Sequence, residues 1–499
     1  MKKETRKLAV SRTTYRILSD PCRVISKPYF PGEEFYSLDG KSRVKAVIER
    51  ILAIPESEVK GILDNVLGDF ASRHLDFTQV LHHSFQMAAH HLEKGVLVSE
   101  QRRLLMGAYF THEYSIEAAA ICNPSMVPAP DQSGVASGQQ RFIMSVRTIG
   151  EGHISSVGFR SGVIDERGDL TFDPVSRYAI IGKRKTPRYD KHLFSSKLEE
   201  LGADKHIASL VLDPLPDRFL FDELERRLAL IDMKSVSEVI AHETIKTIHL
   251  LASSNYVVEY PQESEVSERV IYPAGPRETQ GMEDARFVRF VHDDGSVVYY
   301  ATYTAFDGVE VLPQLIETED FLSFRIATLN GACAQNKGMA LFPRLIDGKY
   351  TMLSRFDGEN AHLMRSDNVR FWSDTQMLRA PMRPWELVQI GNCGSPIETE
   401  AGWLVLTHGV GPMRRYAIGA LLLDRDDASH IIAHLPDPLI EPAEDEREGY
   451  VPNVLYSCGA MVHRDHLVLP YGFSDVGIRI ARVCLSDLLD LLLEFPCDG

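Results

Sequence analysis

"SVVYYATYTAFDG" (Ser296–Gly308) is an apolar, β-branched and aromatic run that ends in a Gly-bearing turn, the pattern of a buried strand and its exit. Four other stretches have the same form: "RFIMSVRTIGEG" (141–152), "GKYTMLSRFDG" (348–358), "GWLVLTHGVG" (402–411) and "DHLVLPYGFSD" (465–475). With Thr304, Arg355, His408 and Tyr471 as markers, the later copies recur at a period of about 50 residues. A second element precedes each strand: "NPSMV" (123–127), "GMEDARFV" (281–288), "KGMALFPRL" (337–345), "GSPIETE" (394–400) and "VPNVLYSCGAMV" (451–462). Several short strands per unit at this period predict propeller blades, and five units predict five blades.

The long first interval holds a block of different texture. Residues 190–253, with "DRFLFDELERRLALIDM" and "SVSEVIAHETIKTIHLLASS", return to helical periodicity and are expected as a helical insertion. Residues 41–112 also carry apolar positions at helical spacing, in "SRVKAVIERILAI" and the three segments after it. The expected organisation is an N-terminal helical domain at 1–118 and an all-β five-bladed propeller at 119–499, interrupted at 190–253.

Composition narrows the function. The chain has 499 residues and a formal net charge of −16. That charge disfavours nucleic acid and anionic membranes as partners, since both require a basic face. Seven scattered cysteines without a C-x-x-C pair, and a start lacking an apolar leader core, predict a reduced, cytoplasmic protein. "LHHSFQMAAHH" sets His83 and His90 two helical turns apart, about 10.5 Å, too far for one zinc ion. "HETIK" has Lys246 where a zinc-protease helix carries its second His. No metal or organic cofactor is expected.

In a propeller the inner strands of all blades end around one axis. Arg147, Glu283, Asp284, Arg286, Lys337, Arg355, His408, Tyr416 and Asp475 all stand at or near repeat positions and are expected to converge there. Acids among several cations suit a hydroxyl-rich sugar beside an anion: carboxylates bind hydroxyls and move protons, while Arg presents a planar fork to phosphate oxygens. Trp385, in "RPWE", is expected as a pocket wall; Trp403 and Cys393 read as packing residues.

The ordered set "GMEDARF", "NKGMALFPRLIDGKYTMLSR", "IGNCGSPIETEAGWLVLTHGV", "RRYAIGALLLD", "EGYVPNVLYSCGAMV" and "YGFSD" resembles glycoside hydrolase family 130, the β-mannoside phosphorylases and related β-mannosidases. The likeness covers about residues 120–485 apart from the insertion. It implies a five-bladed propeller and reversible, inverting phosphorolysis of a β-mannoside to α-mannose 1-phosphate, with inorganic phosphate as co-substrate. It implies Asp284 as general acid, acting through a sugar hydroxyl. Arg147, Lys337, Arg355 and His408 are implied as the phosphate-binding set, with Glu283, Arg286, Tyr416 and Asp475 on the sugar. Two positions depart from the pattern: Lys337 stands where some relatives carry Arg, and Gln389 where many carry Lys. An inverting β-mannosidase is the alternative; it needs a second carboxylate about 6.5–9.5 Å from Asp284, for which Glu398 and Glu448 are available. A non-catalytic glycan- or protein-binding propeller is the third reading. The helical additions are expected to serve as a lid or a homo-oligomer contact.

Overall fold

The computed structural model describes residues 8–31, 42–230 and 238–497. The chain divides into two compact units: residues 20–118 with 176–180, and the remainder.

The smaller unit holds four helices, Arg43–Ala53, Glu56–Phe70, Phe77–Ala88 and Glu100–Tyr109, and a strand pair, Val24–Pro28 with Thr111–Ser115. Asp76 and Ser99 cap the third and fourth helices by accepting from the backbone N–H of Gln79 and Arg102. Val44, Ile48, Ile51, Ala88, Met106 and Phe110 form its apolar centre.

The larger unit is mainly β. Its strands form five antiparallel groups in chain order. The first is Ala120–Pro128, Gln140–Ile149 and Ser155–Ile164, with Leu170–Phe172 at its edge. The second is Gly281–Val291, Val297–Phe306, Val311–Thr318 and Ser323–Thr328. The third is Lys337–Leu341, Tyr350–Arg355, Ala361–Ser366 and Thr375–Arg379. The fourth begins with a broken strand, Gln389–Asn392 and Ile397–Thr399, then Gly402–Val410, Tyr416–Leu423 and Ile431–His434. The fifth likewise begins with Leu455–Tyr456 and Met461–His463, followed by His466–Phe473 and Gly477–Cys484.

Strands buried on both faces explain the continuous apolar runs. In Gly402–Val410 every residue is buried, and side chains alternate between faces. Trp403 and Val405 pack with Phe342, Leu353 and Leu363 of the third sheet. Leu404 and Leu406 pack with Leu467, Leu469 and Phe473 of the fifth. Comparable apolar layers join the second sheet to the third through Phe290, Leu315, Met352 and Met364, and the fifth to the first through Phe142, Met144, Val468 and Ile480. Phe159 of the first sheet meets Phe287, Phe321 and Phe324 beside the second.

One feature differs from the expected organisation. Residues 1–118 do not act as one helical piece: Ser11–Leu18 is a strand pairing antiparallel with Gly477–Cys484, the outer strand of the fifth sheet. Its alternation places Tyr15 and Ile17 against the apolar layer of the first and fifth sheets. A partner more than 450 residues away is invisible to local reading. The helices Lys191–Glu200, Lys205–Leu212, Phe221–Leu228 and Glu238–Ser253 fall where the insertion is expected and rise from the rim of the second sheet, where Lys183–Lys185 and Tyr256–Glu259 pair with each other and the latter pairs with Ser323–Thr328. The insertion has its own apolar centre around Phe194, Leu198, Leu212, Phe219 and Ile248.

Arg12 ties the terminal strand down, donating to the Tyr471 hydroxyl and to Glu446, a carboxylate wholly out of solvent. Deleting residues 1–19 removes this strand and leaves Gly477–Cys484 as a bare edge with unpaired backbone groups. The expected result is a lower melting temperature and self-association, read by thermal unfolding and size-exclusion chromatography.

Candidate functional site

The site grows from one backbone device used three times. In the second sheet Glu283 pairs with Thr304 and Arg286 with Thr302, so Asp284 and Ala285 together face a single residue. In the first, Cys122 pairs with Arg147 and Ser125 with Ser145, which leaves Asn123 and Pro124 in the bulge. In the third, Lys337 pairs with Arg355 and Ala340 with Leu353, which leaves Gly338 and Met339. Each bulge opens on a left-handed residue: Asn123 at φ 48°, Asp284 at φ 57° and Gly338 at φ 85°. Asn, Asp and Gly tolerate that conformation best, which is the local reason for "NPSM", "EDAR" and "KGMA". In the fourth and fifth sheets the inner strand breaks at the corresponding place, after Asn392 and after Tyr456.

The bulges aim side chains from several sheets into one cluster. Asp284 Oδ1 accepts from the Asn123 amide and lies 3.5 Å from Arg147 Nη1. Arg147 Nη2 donates to Glu283 Oε1 at 2.8 Å, and Lys337 Nζ donates to Glu283 Oε2 at 2.5 Å. Lys337 is the cross-strand partner of Arg355. Arg355 Nη1 donates to His408 Nε2 at 3.0 Å. The His408 ring lies 4.7 Å from that of Tyr456 and stacks near-parallel on Tyr416 at 6.1 Å. Arg286 closes the circuit, donating to the Tyr456 hydroxyl at 2.9 Å and to the Asp284 carbonyl at 3.0 Å. The chain segment before the bulge is held by Glu278: its carboxylate accepts from the hydroxyls of Tyr256 and Tyr303 and from the backbone N–H groups of Ala274 and Gly275.

Electrostatics differentiate the members. Burial alone would raise the Asp284 carboxyl, but Arg147, Arg286 and Lys337 override it and, with the Asn123 amide, hold it below the usual carboxylate range. Asp475 moves the other way: burial pushes it up, Arg147 opposes that, and the Asp284 charge adds to it. His408 is driven well below the usual imidazole range, first by burial and then by Arg355 and Arg286. A neutral His408 accepting at Nε2 matches the observed bond from Arg355. Arg355 itself is a half-buried cation whose Nε lacks a hydrogen-bond partner. Among the described residues, no carboxylate pairs with it.

The expected residues fall into three groups. Asp284, Glu283, Arg147, Lys337, Arg355, His408, Arg286 and Tyr416 form the cluster just traced, and Asp475 joins it through Arg147 and Asp284. Within it, His408 and Arg286 are the most deeply buried, at 0% and 2% exposed. They orient Arg355 and Asp284 from behind. Trp385 is set apart. Its ring packs over Gly409 and Gly419, where an added β-carbon would fall 2.4 and 2.6 Å from it. Its indole N–H donates to the Pro436 carbonyl. Strand alternation puts Gly409 and His408 on opposite faces, so the indole covers the back of the strand rather than the cluster. Tyr471, used as a repeat marker, does not join the cluster: its hydroxyl donates to Glu446.

Asn123 and Tyr456 were missed. Both lie within or beside quoted repeat elements, and aligning "CNPS" with "EDAR" would have set Asn123 beside Asp284.

The folded protein keeps His408 neutral, whereas an unfolded imidazole takes a proton near pH 6.5. The stability tied to this group is therefore intact above that pH and falls as the pH drops below it, by up to about 1.4 kcal/mol per pH unit. His408→Gln, which retains an acceptor for Arg355, is expected to flatten the acid limb of the stability curve, measured by urea unfolding at a series of pH values below neutrality.

A family described as beta-1,4-mannooligosaccharide phosphorylase matches residues 235–494, just over half of the chain. The chain is 33% identical over 224 residues to a 1,2-beta-oligomannan phosphorylase of Thermoanaerobacter sp. (strain X514), covering 42% of this chain and 71% of that protein. It is 30% identical over 230 residues to a beta-1,2-mannobiose phosphorylase of Listeria innocua, covering 44% of this chain and 63% of the relative. A beta-1,4-mannooligosaccharide phosphorylase of Ruminococcus albus is 31% identical over 168 residues, 31% of this chain and 50% of the relative. Among solved structures, the Listeria innocua enzyme in complex with beta-1,2-mannobiose aligns at a TM-score of 0.44 and 21% identity, over 76% of this chain and 93% of that one. By its family match and its relatives, the chain belongs to glycoside hydrolase family 130.

Proposed function

We propose that the protein is a glycoside phosphorylase that cleaves a β-mannoside with inorganic phosphate, reversibly and with inversion, to give α-mannose 1-phosphate. The observation that carries this reading is Arg355. It is a half-buried guanidinium without a carboxylate partner among the described residues, steadied by a neutral His408 and set across the strand pair from Lys337. A cation left in that state calls for an anion from solution, and the planar fork suits phosphate oxygens. Names of the relatives, which are mannoside phosphorylases, support the same class.

The reading extends to the architecture. The five sheets are the blades of a propeller, closed by the N-terminal strand Ser11–Leu18, and the sheet-bearing unit is the catalytic one. Free thiols at all seven cysteines suit a reducing, cytoplasmic setting.

In the reaction, Arg355 and Lys337 hold phosphate on one side of the anomeric carbon, while Arg147, paired with Glu283 and Asp284, positions those carboxylates. A phosphate oxygen forms the new bond as the glycosidic C–O bond breaks on the opposite side. The leaving oxygen gains a proton that originates at Asp284 and passes through a sugar hydroxyl. Asp475, Glu283 and Tyr416 meet the sugar. In the free protein the surrounding cations keep Asp284 ionised. The charge of bound phosphate offsets those cations and raises Asp284, so anion binding itself loads the acid.

The hydrolytic alternative through Glu398 is weakened by the placement of that carboxylate. Glu398 is locked between Arg344 and Arg425. It pairs with Trp403, about 17 Å along the strand from His408.

Incubating the protein with β-1,2- and β-1,4-mannobiose, with and without phosphate, tests the proposal. Mannose 1-phosphate formed only with phosphate is expected; free mannose irrespective of phosphate overturns it. Asp284→Asn preserves the left-handed backbone and is expected to reduce kcat by about 10²–10⁴. Arg355→Gln is expected to raise the KM for phosphate at least about tenfold while leaving sugar binding in place. Because phosphate raises Asp284, its binding takes up a proton, and its affinity should weaken as pH rises through that window. Calorimetry in buffers of different ionisation enthalpy reads that uptake.

A further inference from the structure

Two exposed loops meet beside the cluster in a way that packing does not explain. Tyr450 is 61% exposed, yet its ring stacks near-parallel on His153, with centroids 5.5 Å apart and planes 19° apart. The Tyr450 hydroxyl lies 3.4 Å from His153 Nδ1. His153 is itself exposed and sits at φ 59°, a left-handed conformation that costs a non-glycine residue free energy.

Both residues are anchored to the site. His153 occupies the turn that leaves the strand of Arg147, where the Gly150 N–H donates to the Ile154 carbonyl. The next residue, Ser155, bridges to Gly281 at the start of the Glu283–Asp284 strand. Tyr450 adjoins the turn of Asp475: the Val451 N–H donates to the Ser474 carbonyl, and Gly449 lies against Ser474 and Val476. Arg414, on the exposed turn after the His408 strand, also acts on Asp475.

The direction of the reaction says what these rings face. An inverting displacement is in line, so phosphate and the departing sugar lie on opposite sides of the anomeric carbon. Arg355 and Lys337 belong to the third sheet and His408 to the fourth. Across a ring of five blades, the side opposite the third and fourth is the first. That is the blade that carries His153, with Tyr450 joining it from the fifth. A flat, exposed aromatic face with polar tips suits the apolar face of a pyranose and its hydroxyls.

We propose that the His153–Tyr450 pair is the platform for the sugar on the leaving-group side of the bond, and that it sets the preference for acceptor and chain length. The inference rests on the phosphorylase reading for its direction, and its test separates the two.

Wild-type protein, Tyr450→Ala, Tyr450→Phe and His153→Ala are titrated calorimetrically with β-1,2- and β-1,4-mannobiose and the matching trioses, and separately with inorganic phosphate. Tyr450→Ala and His153→Ala are expected to weaken mannoside binding about five- to tenfold, with phosphate binding unchanged. Tyr450→Phe, which keeps the ring, is expected to bind as the wild type does. Unchanged mannoside affinity in both alanine variants overturns the platform, as does a Phe variant as weak as the Ala variant, since the hydroxyl clasp would then be what matters. If wild-type protein releases mannose 1-phosphate with phosphate while Tyr450→Ala retains the same acceptor KM in synthesis, the platform fails and the phosphorylase reading stands. Failure of phosphate-dependent turnover, with mannoside binding still lost in Tyr450→Ala, removes the phosphorylase and keeps the sugar platform. A wild type that binds none of these sugars overturns both.

Discussion

The left-handed bulge on the inner strand is the constraint from which the site follows. A regular strand sends successive side chains to opposite faces, so Glu283 and Asp284 could not both turn toward one cavity. The bulge at Asp284–Ala285 doubles two residues against one and redirects the second carboxylate. The same insertion at Asn123–Pro124 and Gly338–Met339 brings an amide donor to Asp284 and frees Lys337 to reach Glu283. Bulges at rims and next to reactive groups are a recurrent way to re-aim a side chain. Here three sheets use one in register, so the chemistry is built into the repeat.

Charge balance then decides what the cluster can do. Arg147, Arg286, Lys337 and Arg355 face two carboxylates from the adjacent Glu283 and Asp284, with Asp475 alongside and pushed toward its neutral form. Three of the four cations contact a carboxylate. The fourth rests on a neutral histidine. The surplus is positive although the chain as a whole is at −16, so the cluster is a local anion well in an acidic protein. Burial strengthens each of these interactions by reducing the screening of water.

Deeply buried members act through their neighbours. His408 accepts from Arg355 and Arg286 donates to Tyr456 and to the Asp284 backbone. Glu278 does the same one layer further out, tying two tyrosines to the segment that enters the bulge. Such contacts hold the side chains and backbone of the cluster in place.

Much of this was legible in the sequence. The period near 50 residues, the apolar strands ending in turns, the helical blocks and the recurring "EDAR"-like elements are local signals, and local signals survive without tertiary context. They determined the β-rich repeat, the family, and nine of the residues that meet in the cluster. Register was not legible. Nothing local showed that the bulge at Asn123–Pro124 would bring Asn123 to Asp284, or that Trp385 would pack over Gly409 and Gly419. Nor did any local pattern show that Ser11–Leu18 would close the fifth sheet. Pairing across hundreds of residues, the facing of side chains at a bulge, and whether a histidine is buried and neutral or exposed and charged depend on partners distant in the chain. Those the fold alone decides, because burial and hydrogen bonding are properties of neighbours in space.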